Sequence, residues 1–134
     1  MIAALRRLVR HGHDGQIPHL IETAWTHAQH GRWDDVERAV HALQTRHPRA
    51  IVALIHTAAD RALAARPAPH DRIGILVDLV DLRRVEAWAA WLVIARGLGE
   101  HHAVHLEITR RGDEGQRDLA VAVLRHATRQ ETTR

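Results

Sequence analysis

His101 and His105 stand four residues apart, one helical turn, so two imidazoles on one face could share a divalent ion. His102 lies beside them and Glu107 follows. The glutamate of a His-Glu-x-x-His zinc motif is missing, because His102 and Ala103 come directly after His101. A third ligand would have to come from elsewhere, such as Glu22, His27 or His30. Asp78 and Asp81, three apart, are spaced like a carboxylate pair for acid–base work, with Arg83 and Arg84 as nearby counter-charges. The remaining chemical repertoire is thin. Cysteine, serine, lysine and tyrosine are all absent, which excludes disulfides, thiolate or serine nucleophiles, lysine Schiff bases and cysteine-containing zinc sites. A catalyst built from this chain would work with His, Asp, Glu or Thr, around a metal. The reading is therefore that the protein is not an enzyme and holds no cofactor. Zinc or another divalent metal on His101 and His105, in a metal-binding protein or a metal-dependent hydrolase, is an alternative.

Thirteen histidines look functional in number. Lysine, asparagine, phenylalanine and tyrosine are missing together, however, and these residues share AT-rich codons. Their joint loss beside abundant Ala, Arg and His points to a GC-rich genome of bacterial type, which inflates histidine without any site requiring it. His11, His13 and Asp14 form a His-x-His-Asp cluster that resembles a metallohydrolase motif. In those families the motif sits at a strand end in much larger chains. Here it follows an apolar-periodic stretch between Gly12 and Gly15, which reads as a polar turn.

The net charge is +3, and its distribution says more than its size. Residues 1–13 carry three arginines and no acid, residues 110–134 carry six arginines against four acids, and the body between is slightly acidic. Nucleic-acid binding is thus a second alternative, using Arg6, Arg7 and Arg10 with Arg110, Arg111 and Arg117 if the two ends converge. The four tryptophans supply all the aromatic content. Trp88 and Trp91, one turn apart, read as core fillers. Trp33, in a turn beside Arg32, is the tryptophan best placed to be exposed and to anchor a protein partner.

Periodicity places these residues on helices. Ile2, Leu5 and Val9 make a short helix over 2–10, ended by Gly12 and Gly15. Pro18 opens a second, with Leu20, Ile21, Ala24, Trp25 and Ala28 inward as far as Gly31. Val36, Ala39, Val40 and Leu43 give a third from Asp34, which stops before Pro48. Gly31, Trp33 and Pro48 have the spacing of a turn glycine, an aromatic and a terminal proline, and over about thirty residues this hairpin resembles the second half of a tetratricopeptide repeat. Val36 and Leu43 stand where that family has small alanines. Displaced by the family's ~34-residue period, the markers fall on Ala65, Pro67 and Leu82, so no second copy follows. A helix-turn-helix is disfavoured by Glu37, which stands six after Gly31 where that motif buries an apolar residue.

Residues 49–65 form a further helix rich in alanine, followed by a loop at 66–71 containing Pro67 and Pro69. Ile73–Leu98 is the most apolar stretch and reads as the centre of the fold. Its unbroken apolar run, Ala87–Ala95, is far below the ~20 residues that cross a bilayer. Residues 100–111 alternate at Val104, Leu106 and Ile108 like a strand, yet fit a helix as well. Helix is favoured because no other segment could pair with a lone strand. Gly112 to Gly115 reads as a turn, and Leu119, Ala120, Val123, Leu124 and Ala127 define a last helix before a polar tail from about residue 129. The expectation is an all-α single domain spanning residues 1–134, of about six or seven short helices packed as antiparallel hairpins. It is a cytoplasmic interaction or regulatory module whose partner is a protein, with no membrane segment and with a homo-oligomer left open.

Overall fold

In a computed structural model, residues 2–65 and 84–132 are described, with side chains described at 16–65 and 85–129. They form six helices: α1 (Ile2–Gln29), α2 (Trp33–Arg46), α3 (Ala50–Ala65), α4 (Arg84–Gly97), α5 (His101–Thr109) and α6 (Asp113–Thr132). No strand occurs among the described residues, and the fold is the all-α single domain expected. The loop at 66–71 and residues 73–83, with Asp78 and Asp81, lie outside the described residues. No described helix is long and apolar enough to cross a membrane.

α1 overturns the reading of two helices separated at Gly12 and Gly15. A single helix runs through both glycines and has Pro18 in its interior. On helical geometry Val9 and Leu20, eleven residues apart, lie within about 20° of each other. The apolar stripes on either side of the glycines are therefore in phase. Glycine weakens a helix without breaking it, and Pro18 costs one intrahelical bond, that to the carbonyl of Asp14. His11, His13 and Asp14 consequently belong to helix rather than to a turn.

α1 and α4 end in the same way. Gly31 has φ +68° and Gly99 φ +83°. At the first, the Gly31 and Arg32 amides donate to the carbonyls of Ala28 (3.1 Å) and His27 (2.9 Å). At the second, Gly99 and Glu100 donate to Arg96 (3.1 Å) and Ala95 (3.0 Å). These are Schellman closures, which need a residue at ease in the left-handed region. The space around Gly31 is empty, so Gly31→Ala adds backbone strain and no clash. Its expected cost is about 1 kcal/mol of unfolding free energy, read from the urea midpoint. A neutral result would show that the turn does not depend on this geometry.

The core is continuous. α3 contributes Ile51, Leu54, Ile55, Ala58, Ala59 and Ala62, packed most extensively on Leu119, Ala120, Val123, Leu124 and Ala127 of α6, and α2 adds Val36, Val40 and Leu43. The described part of the stretch 73–98 enters this core through Ala89, Leu92, Val93 and Ala95. Among the described residues α3 and α6 each touch all five other helices, α6 most extensively. α6 begins at Asp113, inside the segment read as a turn, and continues to Thr132 through residues read as tail.

α5 settles the ambiguity at 100–111. Val104 and Ile108, four apart, are buried, while Leu106 is 52% exposed. A strand would have put all three on one side. The buried polar side chain Gln44 joins α2 to α6: its Nε2 donates to the Asp113 carbonyl (2.9 Å), and its Oε1 accepts from Arg117 Nη1 (2.8 Å). Both ends of the amide are thereby satisfied.

Candidate interaction surface

Trp33 is the first residue of α2, directly after the Schellman turn, rather than a residue of the turn itself. It is half-buried against the core, and Arg32, the exposed residue before it, caps α2 without a side-chain hydrogen bond. Asp34 and Asp35 in the first turn supply the negative charge that a helix start favours. Over the indole ring lies the guanidinium of Arg125 from α6, 4.6 Å from the ring centroid. The two sit in an open cleft of about 730 Å³ lined also by Ala28, Gln29, Gly31, Thr128 and Arg129. No carboxylate is among these lining residues. Nothing in the local sequence announces Arg125 as a neighbour of Trp33, because the two are ninety-two positions apart.

Stacked arginine recurs at other tryptophans. Arg61 lies 4.8 Å over buried Trp25, and Arg111 and Arg110 lie 5.3 Å and 5.7 Å from the Trp88 ring. Trp88 and Trp91 meet edge to face at 5.7 Å and pack partly buried against the core, as their spacing suggests.

Of the arginines named for nucleic acid, Arg110, Arg111 and Arg117 have described side chains, and each meets a partner within the chain. Arg110 donates from Nε to Glu107 Oε1 at 2.8 Å, and Arg111 lies 3.4 Å from the same oxygen. The Glu107 hydrogen bond, with its charge, raises the Arg110 pKa. Arg117 is turned toward Gln44 on α2. Arg6, Arg7 and Arg10 ride on α1, and their side chains lie outside the described residues.

His101 and His105 are both exposed on α5. The ligands suggested as completing their site lie elsewhere: Glu22 pairs with Arg61, His27 lies 3.9 Å from Asp35, and His30 Nδ1 donates to the Thr26 carbonyl at 2.8 Å. Their actual neighbours are His56 and Asp60 of α3 and Arg96 of α4. Arg96 is bidentate on Asp60, with Nη2 to Oδ2 at 3.1 Å, and its Nη1 donates to His56 Nδ1 at 2.6 Å and lies 3.4 Å from His101 Nδ1. A guanidinium thus occupies the point at which two imidazole nitrogens converge. Burial first, then Arg96, lowers the His56 pKa below the ordinary histidine value, with Asp60 opposing and His105 and His101 adding to the lowering. Among the described residues no three His, Asp or Glu side chains are arranged to hold a metal ion. Comparison of the chain with protein-family models, curated proteins and solved structures returns no match.

Proposed function

We propose that this chain is a non-enzymatic helical module that binds another protein in the cytoplasm, with the cleft at Trp33 as the contact. The observation that carries this reading is the Trp33–Arg125 pair. A half-buried indole roofed by a guanidinium opens onto a cleft of about 730 Å³ rather than being closed over by the core. Tryptophan and arginine are the side chains that contribute most often to interface energy, because each offers a large rigid surface together with a polar edge. Arg129 and Thr128 supply polar groups around the ring, as the rim of such a site requires.

The test is affinity capture from host lysate with the parent and with Trp33→Ala, each with and without nuclease. A protein should be recovered with the parent in both conditions and fall by about tenfold or more with Trp33→Ala, while the variant's melting curve stays cooperative. Equal recovery with both chains would remove Trp33 from the contact. Recovery abolished by nuclease would transfer the function to nucleic acid.

A further inference from the structure

The outward strip of α6 carries its charge in two blocks. Glu114 and Asp118 come first, Arg125 and Arg129 last, and Val121 lies between, with Ala122 beside it at the edge of the core. At 100° per residue, Glu114, Asp118, Val121, Arg125 and Arg129 fall within about 80° of the helix circumference. Burial agrees with this: Glu114, Asp118 and Arg129 are exposed and Val121 and Arg125 half-buried, whereas Leu119, Val123 and Leu124 point into the core.

The strip runs between α2 and α4, both of which touch α6 but not each other among the described residues. Its first half borders a groove of about 500 Å³, where Glu37 from α2 adds a further carboxylate. Glu86 from α4 also lines it, with its carboxylate 4.0 Å from Arg129, whose exposed guanidinium stays open to a second carboxylate. Arg117 and Arg125 also line that groove. The Arg117 guanidinium, however, is drawn toward Gln44, and Arg125 lies over Trp33 toward the second half.

The helix dipole accounts for an acid in the first turn and a base in the last, such as Glu114 and Arg129. Its influence fades within one turn, and Asp118 and Arg125 lie further in. We propose that this face binds the same face of a second copy, with the two α6 helices antiparallel about a two-fold axis between Val121 and Ala122. That axis sets Glu114 opposite Arg129 of the second copy and Asp118 opposite Arg125, each twice, with the half-buried Val121 side chains meeting near the centre. A parallel arrangement would put like charges together. An isologous contact requires one patch complementary to itself, and a strip acidic at one end and basic at the other meets that condition in one orientation only. The pairing shares Arg125 and Arg129 with the Trp33 cleft, and it is told apart from the proposed partner contact by its readout, because self-association is measured on the purified chain with no partner present.

The experiment is sedimentation of the full chain over a concentration series, with charge reversals at two exposed positions. The parent should self-associate at about 50 mM salt and dissociate progressively toward about 500 mM. Glu114→Arg alone and Arg129→Glu alone each replace two attractions by two repulsions, and should weaken self-association by about tenfold or more. Mixing the two variants in equal amounts restores opposite charges at both contacts and should restore the dimer. So should the double variant Glu114→Arg/Arg129→Glu, which also shows whether a loss in the single variants comes from misfolding. A parent that stays monomeric at low salt, single variants that associate like the parent, or a mixture that stays monomeric would each overturn the pairing.

Discussion

Replacing Leu124 by alanine is expected to lower the unfolding free energy by about 3 kcal/mol, a large part of the ~5–15 kcal/mol that holds a domain of this kind together. Leu124 is 1% exposed on α6, which like α3 packs against all the other described helices and does so most extensively. The cost of a cavity depends on how far the surroundings can collapse into it. Here α2, α3 and α4 are each held by further neighbours as well as by α6, so none can move in without opening a gap elsewhere. Leu106→Ala, on a side chain 52% exposed, serves as the control and should change stability by no more than about 0.5 kcal/mol. Urea unfolding of both variants decides the matter: comparable midpoints would mean that α6 is not the element on which the packing depends.

The second large effect concerns the joint of α3, α4 and α5 at Arg96. Arg96→Met keeps the length of the side chain but removes the bidentate contact with Asp60 and the donor to His56. Asp60 is 55% exposed and can recover water, so the expected loss is about 1–2 kcal/mol rather than the full cost of a stranded charge. The same joint makes stability depend on pH. In the folded chain the His56 pKa is lowered, while in the unfolded chain it is near ~6.5. Between those two values the unfolded state binds more protons, so stability rises with pH there. As the solution is acidified, stability should begin to fall near pH ~6.5 and should stop falling on this account below the folded value. Geometry gives the reason: Nδ1 of His56 accepts from Arg96, and a proton placed on it would set one donor against another. Unfolding curves at several pH values, compared between the parent and His56→Gln, isolate this contribution from the other histidines. Identical slopes in the two chains would contradict it. In Arg96→Met the second cause of the lowering is gone, and the slope should diminish.

Much of the helical layout was legible in the sequence because the signals are local. Gly31 stops α1 through its positive φ, Pro48 follows the end of α2, and Val36, Val40 and Leu43 reach the core at the spacing that identifies them. The same local reading fails where a breaker is only a weak one. Gly12, Gly15 and Pro18 each cost helix stability, yet the apolar stripe continues in phase through them and the helix does not stop. Alternation at Val104, Leu106 and Ile108 left two periodicities open, and burial of the first and third chose between them. The surface was hardly legible. Trp33 could be singled out by type, but its partner Arg125 comes from the far end of the chain. Arg96 and Asp60 are separated by thirty-six residues, and His56 had no feature to distinguish it from twelve other histidines. Pairings of this sort are decided by how helices pack, and a single sequence carries no record of packing at the surface.

The central claim, that the cleft at Trp33 holds a protein, is tested most directly by photocrosslinking. A photoreactive residue replaces Thr128, which lines the cleft, and in a second chain replaces His102, exposed on α5. Both are irradiated in host lysate after nuclease treatment. The account predicts a discrete protein adduct from position 128 that is absent from position 102 and is lost when Trp33→Ala is added. Adducts from position 102 alone, or an adduct at 128 that Trp33→Ala leaves unchanged, would contradict it.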